Sequence, residues 1–352
     1  MPNRPIKVLV VDDSIFMRTV LKGAMERADE IEVIGSAANG LEAVRRIKEL
    51  KPQVVTLDIE MPGLDGLGVL EQVMKENPLP IVMVSTKTQE GAEMTFKALE
   101  LGAVDYVAKP LAKKDSSLQQ FQQDVITAIK TAYASNGSTL TSPQQSRVMP
   151  PRKIAGNGDG AVIAIGISAG GPATLHKIIP QIPKEFPPML IAQHMPADFT
   201  GPFANRLNAA SQIEVKEAQP GDALKPGRLL LAPGNRHLTV RRSGVGYVAA
   251  LDDGPKVSGF RPSADVLLSS VAECFGTRTI GLIMTGMGFD GAEGIRKVHE
   301  AGGRTLSQDQ ESCIVYGMPK AAFETGCVDR VVSLAGIPDA LAKAAADAGV
   351  PA

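Results

Sequence analysis

Short apolar runs alternate with amphipathic stretches along most of the chain, and this alternation restricts the possible fold more than any other feature. In the first half the apolar runs are IKVLVVDD, IEVIGSA, QVVTLD, LPIVMVS and VDYVAKP, which we predict to be strands. The stretches between them have helical spacing and read IFMRTVLKGAMER, LEAVRRIKEL, GLGVLEQVMKE and GAEMTFKALELG. Because the runs are almost entirely apolar, we expect a parallel sheet with helices on both faces.

The alternation stops at residues 135–160, which are rich in Ser, Gly, Pro and Gln and lack a sustained period. They predict a flexible linker, or alternatively a long loop inside one domain. Beyond them the predicted strands are AVIAIGIS, MLIAQH, IEVKEA, TIGLIMTG, RTLSQD and DRVVS, and HLTVRRSGVGYVAAL predicts a hairpin. We therefore predict two different α/β domains with doubly wound parallel sheets, residues 1–132 and 159–352, joined by a linker over 133–158.

Composition excludes several functional classes. A net charge of −1 argues against a general nucleic-acid or anionic-membrane binder, and no apolar run is long enough to span a bilayer. The N-terminus, MPNRPIKVLVVDD, has no apolar signal core. Cys274, Cys313 and Cys327 lack metal-ligand spacing and are too few for a disulfide scaffold. We expect a cytoplasmic protein without membrane insertion or a nucleic-acid partner.

Polar residues close the apolar runs of the first half. They are Asp12 and Asp13 after the first run, Asp58 after the third, Ser85 after the fourth and Lys109 after the fifth. Carboxyl ends of parallel strands form ligand sites, so three carboxylates are expected to converge on a hard cation such as Mg²⁺. An Asp there can accept a phosphoryl group, whose charge Lys109 would offset while the Ser85 hydroxyl bonds a phosphoryl oxygen. Alternatively, Asp12 and Asp13 cap the next helix and Asp58 only ends a strand.

Residues 5 to about 130 resemble a response-regulator receiver domain. The resemblance rests on VVDDSIFMR, LDIEMPGLDGL, VS and the KP of VAKPL. It implies a flavodoxin-like fold, phosphotransfer from a histidine kinase to Asp58, and a switch that involves Ser85 and Tyr106. It also implies Mg²⁺ bound by Asp12, Asp13 and Asp58. Many members have Thr where this chain has Ser85, which keeps the hydroxyl.

In the second half, VIAIGISAGGPATL places Ser168 in a G-x-S-x-G pattern between a predicted strand and a helix. Such a turn can raise a nucleophilic hydroxyl above a sheet. Ser is also an ordinary helix N-cap, and a glycine turn at a helix start can bind phosphate. No Lys follows as in G-x-x-x-x-G-K-[ST], and G-x-G-x-x-G is incomplete.

A nucleophilic serine needs a base, and the chain has four histidines. His176 is about 12 Å along the following helix from Ser168, and His299 lies in a helical stretch that we predict to be at the surface. His194 closes the run MLIAQH, so it should emerge at the same sheet edge as Ser168. We favour His194, with His237 as the alternative.

The base in turn needs a carboxylate to orient it. Asp290 follows the run TIGLIMTG, where it supplies that carboxylate or, alternatively, caps the next helix. The order Ser168, His194, Asp290 differs from the Ser…Asp…His order of α/β-hydrolases, so we do not assign that fold. The backbone N–H groups at Ala169 and Met287 are candidates for an oxyanion hole.

Residues 158–348 resemble the catalytic domain of chemotaxis protein-glutamate methylesterases. The resemblance rests on GISAGG, QHMP, LAPGNRHL, GFRPSADVLL, LIMTGMGFDGA and SCIVYGMPKAA. It implies that Ser168 is the nucleophile, His194 the base and Asp290 the acid, with Met287 at the oxyanion hole. Ala169 stands where Thr is common and Phe289 where Asn is common, which could alter substrate fit or rate.

Together the two resemblances imply an esterase that hydrolyses glutamate γ-methyl esters on chemoreceptor helices and also deamidates receptor glutamines. The unphosphorylated receiver would cover the esterase cleft until Asp58 is phosphorylated. We expect Mg²⁺ in the receiver only, no cofactor for the esterase, and a monomer. The alternatives are a regulator that acts by binding through an inactive second domain, and a DNA-binding regulator. Near-zero charge and the lack of a basic helix-turn-helix pattern at the C-terminus argue against the latter.

Overall fold

The chain divides into two compact units, residues 1–145 and 146–352. The structure, a computed structural model, describes five segments: 4–86, 88–110, 115–135, 160–244 and 246–348. Residues 136–158 of the predicted linker lie outside these segments, and the helix before them ends at Ala134. Among the described residues no helix is both long enough and apolar enough to cross a membrane.

The first unit is built around a parallel sheet of the order β2-β1-β3-β4-β5. Its described strands are β1 (Ile6–Val11), β2 (Ile31–Ala37), β3 (Val54–Asp58), β4 (Ile81–Ser85) and β5 (Asp105–Ala108). Its described helices are α1 (Ile15–Met25), α2 (Gly40–Leu50), α3 (Gly66–Glu76), α4 (Gln89–Glu100) and α5 (Asp115–Ala134). Every residue of β3 and β4 is buried, as expected for strands covered on both faces, and the five predicted strands are confirmed.

Side-chain caps set where four of these helices begin. Ser14, Asn39, Asp65 and Thr88 each accept a hydrogen bond from the backbone N–H three residues further on. Asp12 and Asp13 are therefore not the N-cap of α1, because Ser14 fills that position. Asp12 Oδ1 accepts instead from the Ser14 N–H at 2.9 Å, and Asp12 Oδ2 contacts Lys109 Nζ at the end of the sheet.

The second unit has a parallel sheet of the order β14-β13-β12-β6-β7-β9-β8 and a separate antiparallel hairpin of β10 and β11. Its described strands are β6 (Val162–Ile167), β7 (Met189–Gln193), β8 (Glu214–Glu217), β9 (Arg228–Leu231), β10 (His237–Ser243), β11 (Gly246–Asp252), β12 (Thr279–Ile283), β13 (Arg304–Gln308) and β14 (Arg330–Val332). Its described α-helices are α6 (Gly171–Ile178), α7 (Ala197–Ala210), α8 (Ala264–Phe275), α9 (Ala292–Glu300), α10 (Met318–Glu324) and α11 (Ile337–Asp347). Short 3₁₀ turns cover Ile179–Gln181, Gly276–Arg278 and Leu334–Gly336.

The predicted parallel α/β architecture and the hairpin are confirmed in this unit, but one strand was missed. β9 has four residues, RLLL, between glycine and proline turns, so it is too short to show a period. In the sheet it lies between β7 and β8. The chain runs from β6 to β7 on one side and later returns to β12 on the other, so β6 lies at a topological switch point. Such points are where open α/β sheets bind ligands.

Candidate active site and acidic pocket

Ser168, His194 and Asp290 follow three neighbouring strands, β6, β7 and β12, at the same edge of the second sheet. Backbone hydrogen bonds continue the strand pairing past the strand ends. The Ser168 N–H donates to the Thr285 carbonyl, and the His194 N–H donates to the Ile167 carbonyl. The sheet therefore brings together three residues that lie 26 and 96 positions apart in the chain.

The side chains of these three residues form a continuous hydrogen-bonded series. His194 Nδ1 lies 3.0 Å from Ser168 Oγ, and His194 Nε2 lies 2.7 Å from Asp290 Oδ2. A carboxylate on Nε2 places the ring proton there, which leaves the Nδ1 lone pair facing the serine hydroxyl. This is the arrangement of nucleophile, base and orienting acid that a Ser-His-Asp triad uses for acyl transfer.

The turn that carries Ser168 is tightly packed at its glycines. Gly170 has φ of 73°, in the region that disfavours other residues, and a Cβ there would lie 2.6 Å from Ile314 Cδ1. Gly170 is the N-cap of α6, without a side-chain cap. Ser168 is thus not the helix cap, which was one alternative from the sequence. Its hydroxyl is left for His194.

Asp290 is fully buried, yet hydrogen bonds keep it charged. Its Oδ1 accepts from Ser263 Oγ at 2.7 Å and from the Asp265 N–H at 3.1 Å, and its Oδ2 accepts from the Ala264 N–H at 2.7 Å besides His194. Burial by itself raises the pKa of Asp290, but the bonds from His194, Ser263 and Ala264 outweigh it, so the pKa is lowered. The carboxylate can therefore stay anionic and hold the imidazole.

A second carboxylate, Asp265, makes the reciprocal contact. Its Oδ1 accepts from the N–H groups of Gly291 at 2.9 Å and Gly294 at 2.8 Å, at the start of α9. Burial raises the pKa of Asp265, and Asp290 nearby raises it further. The N-terminus of α8 thus binds Asp290, while Asp265 at the start of α8 binds the N-terminus of α9. Asp290 is not the cap of α9, which was the alternative from the sequence.

The two candidate oxyanion donors lie on turns that contact one another. The Ala169 N–H has no acceptor among the described residues, and Ala169 is partly exposed. The Ala169 carbonyl accepts from Thr285 Oγ1 at 3.0 Å. Thr285 is two residues before Met287, and Met287 is 38% exposed. A backbone amide on a partly exposed turn beside a nucleophile is a candidate donor to a developing oxyanion.

The remaining histidines are placed elsewhere. His237, the alternative base, is buried, with Nδ1 accepting from the Ser263 N–H and Nε2 donating to the Pro255 carbonyl. His299 is exposed, 3.6 Å from Asp329, and His176 lies on α6. Among the described contacts, His194 is the histidine at the serine hydroxyl.

The sequence did not indicate two residues that support the site. Gln193 is buried, and its Nε2 donates to the carbonyls of Ser168 at 2.9 Å and His194 at 3.0 Å. It therefore ties the turn of the nucleophile to that of the base. The ring of Phe260 stacks on the imidazole of His194. Neither has a pattern of its own, although QHMP and GFRPSADVLL contain them.

In the first unit, Asp12, Asp13 and Asp58 lie together at the ends of β1 and β3. One carboxylate oxygen from each lies within 4.8 Å of those of the others. Lys109 Nζ, after β5, is 3.0 Å from Asp12 Oδ2 and 2.7 Å from Asp58 Oδ2. Three convergent carboxylates suit a hard divalent cation, so the donor set fits Mg²⁺.

The charges in this pocket are only partly compensated. Burial, with a further contribution from Asp12, raises the pKa of Asp58 from 3.8 to about 6, although Lys109 and the Glu60 N–H oppose the rise. Burial by itself lowers the pKa of Lys109, but Asp58 and Asp12 outweigh it, so that pKa is raised. Lys109 stays cationic, and a bound cation would complete the neutralisation.

Ser85 and Tyr106 lie on neighbouring strands beside the pocket. The buried Ser85 hydroxyl donates to the Gly91 carbonyl in α4 at 3.0 Å, so it is directed at that helix. A phosphoryl contact would require it to rotate. The Tyr106 hydroxyl is buried, and burial, together with Asp105, raises its pKa well above the usual value.

Comparisons with known proteins identify the two domain types of the chain. The family described as CheB methylesterase matches residues 163–341, and the response regulator receiver domain matches residues 8–120. A protein-glutamate methylesterase/protein-glutamine glutaminase of Pyrococcus horikoshii is 44% identical, over 97% of this chain and 94% of its own length. A relative of the same name, numbered 1, in Caulobacter vibrioides is 47% identical, over 94% of this chain and 95% of its own.

A solved structure is also similar to the second unit. The crystal structure of the Thermotoga maritima CheB methylesterase catalytic domain has a TM-score of 0.51 and is 42% identical. The match covers 52% of this chain and 98% of that one. The family is established by two relatives that match over nearly their whole length and by the matches to both domain types. This chain belongs to the CheB methylesterase family of response regulators.

Proposed function

We propose that this chain is a phosphorylation-activated protein-glutamate methylesterase that also acts as a protein-glutamine glutaminase. Its substrates are glutamate γ-methyl esters, and glutamines, on the cytoplasmic helices of methyl-accepting chemoreceptors. The observation that carries the proposal is the series from Ser168 Oγ to His194 to the buried Asp290. The names of the full-length relatives support both activities.

The first half of the proposed reaction forms an acyl-enzyme. His194 Nδ1 takes the proton of Ser168 Oγ as Oγ bonds to the γ-carbonyl carbon, and the carbonyl oxygen becomes an oxyanion. The N–H groups of Ala169 and Met287 donate to that oxyanion. When the C=O bond re-forms, the bond to the methoxy group breaks, and methanol leaves with the proton from Nδ1.

The second half regenerates the enzyme by the same proton path. Water gives a proton to His194 Nδ1 and bonds to the acyl carbon, and Ser168 Oγ departs with that proton, which leaves a glutamate. Asp290 stabilises the imidazolium in both halves through its bond to Nε2. With glutamine as substrate, ammonia leaves in place of methanol. The esterase steps use only side chains and backbone amides, so we propose that they need no cofactor.

Phosphorylation of Asp58 by a chemotaxis histidine kinase controls this activity. Asp12, Asp13 and Asp58 would hold Mg²⁺, which would supply positive charge to offset the incoming phosphoryl group. Lys109 contacts Asp58 directly and adds a fixed positive charge. Ser85 and Tyr106 act as the switch: release of the Ser85 hydroxyl from the Gly91 carbonyl frees it for a phosphoryl oxygen.

The proposed organisation is a receiver domain over residues 1–132, a linker over 133–158 and a catalytic domain over 159–352. The unphosphorylated receiver restrains the esterase, and the protein works as a cytoplasmic monomer on receptor helices. A conformational switch of this kind needs contacts that differ between the two states of Asp58.

The test is methanol release from a methylated chemoreceptor, with and without a small-molecule phosphodonor. We expect release by the wild type, a rise with the donor, and a loss of roughly 10⁴-fold or more in Ser168→Ala. Asp58→Asn should keep basal release and lose the response to the donor.

Ser243→Ala is the matched control, because Ser243 is an exposed serine at the end of β10. It should behave as the wild type. Absence of methanol release from the wild type under every condition would refute the substrate. Release that persists in Ser168→Ala would refute the nucleophile.

A further inference from the structure

The imidazole of His194 has an aromatic neighbour on one face. The ring of Phe260 lies parallel to it, with 3.7 Å between ring centroids and 6° between planes. Phe260 is half-buried, whereas the His194 side chain is only 6% exposed. The base is therefore covered on a face that neither Ser168 nor Asp290 contacts, because both bond to the edge of the ring.

The two edge bonds hold the imidazole at Nδ1 and Nε2, so both depend on the rotation of the ring. Rotation about the bond to the ring has a broad energy profile in histidine. Tilting the ring out of its plane would lengthen both edge bonds at once. A parallel ring against the face opposes such a tilt and also excludes water from that side. When the imidazole becomes cationic, the negative face of the phenyl ring attracts it.

Phe260 is presented by a tight turn. Val257 and Phe260 exchange two backbone hydrogen bonds, of 3.1 and 2.9 Å, and Ser258 and Gly259 between them both have positive φ. The Ser258 hydroxyl donates to Asp265 Oδ2 at 3.1 Å. The turn is thereby connected to the same helix start that binds Asp290.

Arg261 braces the other side of this turn. Its Nη1 donates to the carbonyls of Asp253 and Gly254, both at 2.7 Å. Its Nη2 and Nε donate to Asn235 Oδ1 at 2.8 and 3.2 Å, and the Asn235 N–H donates back to the Arg261 carbonyl. One guanidinium thus joins the segment before the turn to the loop before β10, which restricts movement of Phe260.

We propose that Phe260 is a positioning residue for the base, and that Arg261 acts through it by holding the turn. The inference rests on the proposed esterase function, since it assigns His194 as the base. Phe260 keeps the imidazole in the plane where Nδ1 faces Ser168 and Nε2 faces Asp290. It acts on the proton transfer and not on substrate binding.

Kinetics of methanol release test this role. Phe260→Leu keeps bulk but removes the flat face, so we expect kcat to fall roughly 10- to 100-fold with KM nearly unchanged. Phe260→Tyr restores the face and should return kcat to within about threefold of wild type. Phe323→Leu is the matched control, because Phe323 is an exposed phenylalanine on α10, and it should retain the wild-type kcat.

Two kinetic results would overturn the proposal. One is a wild-type kcat in Phe260→Leu. The other is an equal loss in the Leu and Tyr variants, since the stacked face would then be irrelevant.

Proton NMR of the histidine rings tests the stacking without any substrate. The chain has four histidines, so His194 can be assigned from the resonances missing in His194→Gln. The ring current of Phe260 should move the His194 ring protons upfield in the wild type and in Phe260→Tyr, but not in Phe260→Leu. Unshifted wild-type resonances would overturn the stacking. A stacked ring in a protein that releases no methanol would instead refute the proposed function.

Coupling between the two residues tests the part played by Arg261. Arg261→Gln should lower kcat less than Phe260→Leu, and the double variant should match Phe260→Leu alone because both act through one contact. Additive losses would overturn the link between Arg261 and Phe260. Arg242→Gln, at an exposed arginine of β10, is the matched control and should leave kcat unchanged.

Discussion

Asp58 in the first unit and Asp290 in the second are both buried aspartates at or beyond the carboxyl end of a parallel strand, yet their pKa values shift in opposite directions. Asp58 is 1% exposed and Asp290 0%. Burial raises the pKa of Asp58 to about 6, whereas the pKa of Asp290 is lowered despite its burial. Depth in the fold therefore does not decide the charge state of a carboxylate.

The difference comes from the hydrogen-bond donors around each group. Asp290 accepts from four donors, which are His194 Nε2, Ser263 Oγ and the N–H groups of Ala264 and Asp265. Asp58 accepts from the Glu60 N–H at 3.4 Å, contacts Lys109, and faces the like charge of Asp12. Donors that satisfy a carboxylate favour its charged form, and neighbouring anions disfavour it.

The contrast fits the two proposed roles. Asp290 must stay charged and immobile to orient His194, so its oxygens are fully engaged by the protein. Asp58 must bond to a phosphoryl group and share a cation, so its oxygens need to remain accessible to both. A nucleophilic carboxylate and an orienting one thus require opposite surroundings, even where both are buried at the carboxyl edge of a parallel sheet.

Among the tests of this contrast between the two aspartates, the largest effect is expected from Asp290→Asn. An amide keeps the shape of the side chain but cannot stabilise the imidazolium, and its NH₂ group opposes the Nε2 proton. We expect kcat for methanol release to fall roughly 10³- to 10⁴-fold. Asp347→Asn, at the exposed end of α11, is the control. A loss smaller than about tenfold would mean that the donor-rich pocket of Asp290 does not serve the base.

A smaller effect is expected in the stability of the first unit. The pKa of Asp58 is raised from 3.8 to about 6, so the folded first unit favours the protonated carboxyl. The contribution of this protonation to the free energy of unfolding is complete below pH 3.8 and is lost as the pH rises to about 6. In Mg²⁺-free buffer Asp58→Asn should therefore raise the free energy of unfolding near neutral pH, by up to about 3 kcal/mol for a shift of roughly two units. The gain should vanish near pH 4.

Calorimetry of the whole chain across this pH range measures the change in stability from the unfolding transition of the first unit. Asp29→Asn, at an exposed aspartate, should show no such pH dependence. A variant Asp58→Asn that is no more stable than wild type at neutral pH would show that the Asp58 charge is already compensated.

The smallest effect is expected from removal of one donor to Asp290. Ser263→Ala deletes the 2.7 Å bond to Oδ1 and the N-cap of α8, and leaves the other three donors. We expect kcat to fall about tenfold and the free energy of unfolding to fall by about 1 kcal/mol. Asn39→Ala removes the N-cap of α2 and should lower stability alone. An unchanged kcat in Ser263→Ala would indicate that the donors around Asp290 are redundant.

The strand pattern allowed most of the fold to be predicted, because buried strands must be apolar and turns need particular residues. The predicted strands of both units are present, and the five strands of the first lie in one parallel sheet. The short β9 was missed, since four residues cannot show a period. The roles assigned to the residues at the strand ends remain predictions for the experiments above.

By itself the sequence determined which chemical groups stand at the strand ends, since a residue type and its distance from an apolar run are local properties. Only the tertiary structure decided how those groups act on each other. Strand order places Ser168, His194 and Asp290 side by side, and α8 directs its first N–H groups at Asp290. Phe260 meets His194 across 66 residues of chain. Hydrogen bonds, ring stacking and pKa shifts depend on separations of a few ångströms between distant segments, and such separations exist only in the folded chain.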